Sequence, residues 1–306
     1  MSVGAPLIRG SLDREAQSPF GAGSFIRQVL AEPVIFALYP RALVMEVAHP
    51  SVAAAVADHS LFRTQPLRRL WATTDAGLQM FFGRQDEAMA TAEHIYRLHD
   101  RIHGDAPAGP YTAHDATLLA WVWATLVDSA EVAFTRWVRP FDASEAEVFY
   151  ADMVAYGRFF GIPASLMPPT RAAFAAYLDG VLAGDVIGTT ATSARLVREI
   201  LGFQRWYTPA AAGRVVRLLT IGTLDPRLAE RLDLTLSPEE RRRFTRVDAA
   251  LARRYPRVPA WRRQLPDAYL QLRRAVVRAP AVAHLGPRAA ASSATTSSSE
   301  TAAKSR

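Results

Sequence analysis

Cysteine is missing from all 306 residues. That absence excludes disulfides, thiolate ligation of iron, iron–sulfur clusters and cysteine-based zinc sites together. Lysine is nearly missing too: 35 of the 36 basic residues are arginine, and Lys304 is the sole exception. A formal charge of +7 would by itself suggest nucleic acid as a partner. Arginine in place of lysine, alongside abundant alanine, reads instead as GC-rich coding, so no nucleic-acid partner is expected. Long apolar runs are lacking as well. None reaches the roughly 18 to 20 uncharged residues of a membrane span. The longest, from Leu118 to Val127, has the length of a buried core helix. The first 18 residues are polar, broken by Asp13, Arg14 and Glu15, with no hydrophobic leader. The expected location is the cytoplasm.

Several catalytic signatures are absent in their turn. No Walker loop or Gly-x-Gly-x-x-Gly follows a strand, and no His-Glu-x-x-His occurs. A Gly-x-Ser-x-Gly elbow is not found. The repeated Glu-x-x-His of a ferritin-like di-iron site is not supplied either.

What is present is helical periodicity over a chain that is 50% hydrophobic, enough for a sizeable core. Residues 24–38 carry Phe25, Val29, Leu30, Ile35 and Phe36, and Tyr39-Pro40 predicts a break. Residues 41–49 and 52–59 read as a helix pair interrupted at His49-Pro50, with Pro50 opening the second member. After a Pro-, Gly- and Ala-rich loop at 105–110, residues 115–138 form a strongly apolar helix. Ser144 and Glu147 read as a capping box for a helix ending at Phe160. Further helices are expected at 169–183, 192–202, 209–222, after the Ser237-Pro238-Glu239-Glu240 cap, and at 267–277. No strand and no repeat is expected. The fold class is all-α: one globular helical domain, 24–288, between a flexible arm, 1–23, and a disordered Ser/Thr/Ala tail, 289–306.

The chain is organised around residues 67–104. They read as a helix with Arg69 and Thr73, a turn at Gly83-Arg84-Gln85-Asp86, and a second helix ending in His99, His103 and Gly104. Each polar pair is spaced by four and so shares a helical face. Ile95 and Ile102 set both imidazoles towards the apolar side. Two readings stand side by side. The histidines are either a satisfied, half-buried pair at a helix end, where the dipole favours cations, or part of a clamp for a planar cofactor such as haem.

A set of ordered runs carries a resemblance. It comprises Arg41-Ala-Leu-Val-Met-Glu-Val-Ala-His-Pro50, His59-Ser-Leu-Phe-Arg63, Pro66-Leu-Arg-Arg69-Leu with Thr73, and Phe82-Gly83. Leu98-His99-Asp-Arg-Ile-His-Gly104, Tyr111-Thr-Ala113 and Trp121-Val-Trp-Ala-Thr-Leu-Val-Asp-Ser129 complete it. Together, over roughly residues 24–269, they resemble the rubber oxygenase (latex clearing protein) and mycophenolic-acid oxygenase superfamily. The resemblance implies a globin-like helical core holding one haem b, and oxidative chemistry with dioxygen on a small or medium hydrophobic substrate. It implies His99 as the iron ligand, with His103 as the runner-up, and places Arg69 and Thr73 near the distal pocket. Arg69 would also serve the cofactor. Apolar residues around 118–126 would line a substrate pocket. Two positions depart from the family: its lysine is Ala72 here, and a histidine of many bacterial members is Trp123. The alternative is a haem- or lipid-binding helical module without turnover.

Overall fold

A computed structural model of the chain describes residues 20–21, 23–59, 66–207 and 210–263. The expected helix at 267–277, most of the arm and the tail lie outside them. The described residues form twelve α-helices and one two-stranded hairpin. In order they are α1 Phe25–Leu30, α2 Tyr39–Glu46, α3 Pro50–His59, α4 Pro66–Phe82, α5 Gln85–His99, β1 His103–Ala106 and β2 Gly109–Thr112. They continue with α6 Ala116–Trp137, α7 Ala143–Phe159, α8 Arg171–Ala183, α9 Ala191–Tyr207, α10 Ala210–Thr223, α11 Pro226–Arg231 and α12 Pro238–Arg254. The fold is all-α, as the periodicity implied.

Helix α6 explains the architecture. Its apolar residues spread over more than one side, which in water requires burial against more than one partner. Trp121, Ala133 and Trp137 enter one core with α2, α3, α9 and α10. Ala120, Trp123, Val127 and Phe134 enter a second with α1, α4, α5 and α7. By length and composition α6 is the one described helix able to cross a membrane, but here it packs between these two cores. Asp115 caps it, accepting from the backbone N–H of Thr117 at 2.8 Å and of Leu118 at 3.3 Å.

Three local expectations change. Tyr39-Pro40 does not break the chain. A 3-10 turn, Pro33–Leu38, leads directly into α2, with Pro40 in the first turn, where a missing N–H costs nothing. Helix α7 is capped by Asp142 and Glu145, not by Ser144 and Glu147. Glu145 is drawn there by the Arg139 guanidinium, which donates to both of its carboxylate oxygens. The Pro/Gly-rich loop is the turn of a hairpin, with His103 opposite Thr112 and Ala106 opposite Gly109. Strands of only four residues, His-Gly-Asp-Ala and Gly-Pro-Tyr-Thr, hold too few large apolar side chains to leave a period-2 signal to read. Gly109, at φ +117°, sits where a side chain would be strained.

Candidate functional site

Helices α4 and α5 are antiparallel neighbours joined through Gly83 and Arg84. The Arg84 backbone N–H donates to Glu87 Oε2 at 2.8 Å, and so starts α5. Inside the pair, Gln79 Nε2 donates to Asp75 Oδ2 at 2.7 Å, and the Thr91 hydroxyl donates to Gln79 Oε1 at 3.3 Å. This buried polar chain stitches the two helices. Counting back from the turn at 1.5 Å per residue, Arg69 and His99 both lie ~22 Å away, at the same end of the pair. The Arg69 side chain is outside the described residues. Thr73 is one turn further along α4 and is exposed.

His99 is the last residue of α5 and is half-buried. Burial pushes its pKa down to about 4, the neighbouring His114 adding to the effect and Asp100 opposing it. The ring is therefore neutral at physiological pH. It lies edge-to-face on His114, with ring centres 6.0 Å apart. Among the described residues no group hydrogen-bonds either of its nitrogens. His114 is held in turn: its Nε2 donates to Asp100 Oδ1 at 2.8 Å and its ring packs on Tyr96 at 4.4 Å.

His103 does not share a helical face with His99. The helix stops at His99, and His103 opens β1, exposed to solvent. The reason is the hairpin, which needs extended backbone from residue 103 onward and competes with the helix for it. The backbone carbonyl of His103 accepts from His59 Nε2 at 3.0 Å. Beside it, the Tyr111 hydroxyl donates to Asp58 Oδ2 at 2.7 Å. Burial and this carboxylate hold the Tyr111 hydroxyl well above the usual phenol range. Gly104 is pressed against Tyr111, since a Cβ there would lie 2.8 Å from the hydroxyl oxygen. Four histidines (His59, His99, His103 and His114) thus lie on or against one hairpin. His49, at the start of α3, accepts from the Ser51 N–H at 3.2 Å, and burial lowers its pKa against the pull of Asp115.

Sequence reasoning did not single out His114 and missed the latch of His59, Tyr111 and Asp58. The runs around His59 and Tyr111 were visible, but only the hairpin brings them together. Of the expected pocket residues between Leu118 and Leu126, Trp121 and Trp123 are buried in the two cores, while Leu118, Leu119, Val122 and Leu126 are partly buried against them. Trp123 is buried and donates from Nε1 to the Met153 carbonyl at 2.7 Å, a packing role. Glu46 lies close enough to the buried Tyr156 hydroxyl to help raise its pKa, after burial and Tyr39. The outlying motif ends also meet. Arg41 is 4% exposed and pairs with Asp128 at 2.6 Å. It also donates to Ser129 Oγ at 2.8 Å and to the Thr223 carbonyl at 3.1 Å, tying α2, α6 and α10.

The profile of the family described as ER-bound oxygenase mpaB/B'/Rubber oxygenase, catalytic domain, matches residues 26–254. The chain belongs to this oxygenase family. Neither a curated protein nor a solved structure matches it. The match runs from α1 to the end of α12, so both cores and the α4–α5 pair are parts of the oxygenase catalytic domain. That domain is haem-dependent in the family at large. Among the described residues no three His, Asp or Glu side chains gather to hold a metal ion. A haem needs no such trio, because the porphyrin supplies four nitrogens and the protein needs to give only one axial donor. A neutral imidazole with unengaged nitrogens, half-buried at the end of α5, fits that demand. His103, exposed on a strand, fits it less well.

Proposed function

We propose that this chain is a haem b-dependent oxygenase acting with dioxygen on a small or medium hydrophobic compound, with His99 as the protein ligand to iron. The observation that carries the reading is the state of His99: desolvated, neutral, and without a hydrogen-bond partner among the described residues. When bound, haem supplies the redox-active iron at which dioxygen is activated. The protein's part is positioning. His114, fixed by Asp100, braces the His99 ring edge-on and restricts its rotation. Arg69, on the neighbouring helix, would neutralise an anionic group such as a haem carboxylate. Thr73 adds a hydroxyl on the same helix. Trp71, 60% exposed two residues before it, offers an apolar contact.

The test is an absorption spectrum of protein made with haem supply. A Soret band is expected in the parent and should be lost in His99→Ala, while His103→Ala retains most of it. Normal haem content without His99 would overturn the assignment. Oxygen uptake with apolar substrates then separates turnover from mere haem holding.

A further inference from the structure

The arginines of this chain are not spread evenly. Helix α12 carries six (Arg241, Arg242, Arg243, Arg246, Arg253 and Arg254) against three acids in 17 residues. Each acid is already engaged: Glu239 with Arg243 at 2.6 Å, Glu240 with Arg217 at 2.7 Å, and Asp248 with Arg136 at 2.6 Å. Arg241, Arg242, Arg246, Arg253 and Arg254 are exposed, and among the described residues their guanidinium groups meet no carboxylate. At 3.6 residues per turn, Arg242, Arg246 and Arg253 fall on one stripe, with Arg243 and Arg254 beside it. Coding bias accounts for arginine over lysine. It does not account for this placement.

Two further features accompany this stripe, which shares Arg246 with the first of them. A groove of about 480 Å³ runs between α10 and α12, with Arg214, Arg217, Arg243 and Arg246 around apolar Leu218 and Val247. Just beyond α12, Trp261 is 72% exposed, with the Arg262 guanidinium 4.7 Å from its ring centre.

We propose that this face docks on an anionic lipid bilayer. A field of unpaired guanidinium groups is drawn to acidic headgroups. An exposed indole with a polar N–H settles at headgroup depth. The apolar groove edged by arginine matches the junction of an anionic headgroup and its acyl chain. A nucleic acid would answer the charge but leave the groove floor unused. Docking would hold the protein against the phase in which apolar compounds concentrate. The inference stands on α10, α12 and Trp261 and does not need the haem reading.

Co-sedimentation of the full chain with phosphatidylcholine vesicles, with and without phosphatidylserine, tests it. Binding should require phosphatidylserine and weaken as salt rises. Replacing Arg242, Arg246 and Arg253 by Gln should cut binding on the order of 100-fold, roughly fivefold per arginine. These side chains are exposed, so the melting temperature should hold, which separates lost docking from lost folding. Brominated lipid should quench tryptophan fluorescence in the parent and much less in Trp261→Phe. Equal binding to neutral vesicles, no binding to either kind, or undiminished binding by the triple variant would each overturn the proposal. So would tight binding to duplex DNA that anionic vesicles fail to displace, which would make the face a nucleic-acid surface.

Discussion

A histidine kept neutral by burial contributes to the loss of stability in acid, and His49 adds to it in the same direction. His99 takes a proton only near pH 4, whereas its ordinary value is 6.5. As pH falls below about 6.5, the unfolded chain binds a proton that the native state refuses, so stability declines and levels off once His99 itself titrates. The melting temperature of haem-free protein should fall across that window, and His99→Gln should flatten the fall. An unchanged slope would move the effect to other groups. Arg41 gives a second prediction at this scale. Removing it strands the Asp128 carboxylate, which is only 18% exposed. Arg41→Leu should cost about 3 kcal/mol in denaturant unfolding, and Arg41→Leu with Asp128→Leu should recover much of it. A single variant as stable as the parent would show that the pair contributes little.

At the scale of elements, the hairpin is the piece that decides the site. It ends α5 at His99, turns His103 outward and brings His114 back against His99. Its close approach of Gly104 to Tyr111 is a specific dependence. Gly104→Ala should push the Tyr111 ring away, break its bond to Asp58, and lower stability by about 1–3 kcal/mol. In a Tyr111→Leu background the same change should cost much less. Equal costs in both backgrounds would mean that the two residues do not meet. The α7 cap shows the same lesson on a smaller scale. Ser144-x-x-Glu147 and Asp142-x-x-Glu145 both satisfy the capping pattern, and the pull of Arg139 on Glu145 selects the second.

For the whole molecule, the shared helix is the controlling feature. One face of α6 belongs to each core, so neither core can open without exposing it. Calorimetric unfolding of residues 20–263 should therefore give a single transition with matching van't Hoff and calorimetric enthalpies. Two resolved transitions would mean that the cores melt separately and that α6 does not couple them.

Helix periodicity, the Ser237 cap, Pro50 at a helix start and the antiparallel α4–α5 pair were all readable from the chain. Each depends on residues within a few positions of one another. Family membership was readable too, because ordered motifs survive without any knowledge of what they touch. The strands, the outward turn of His103, the bracing of His99 by His114 and the Arg41–Asp128 pair were not. Asp100 is 14 residues from His114, Asp58 is 53 from Tyr111, and Ser129, beside Asp128, is 88 from Arg41. Composition could account for the arginines but not for their gathering on α12. Local propensity and spacing are written in sequence, whereas burial, and with it the charge state of His99, exists only once distant segments have removed water from around a side chain.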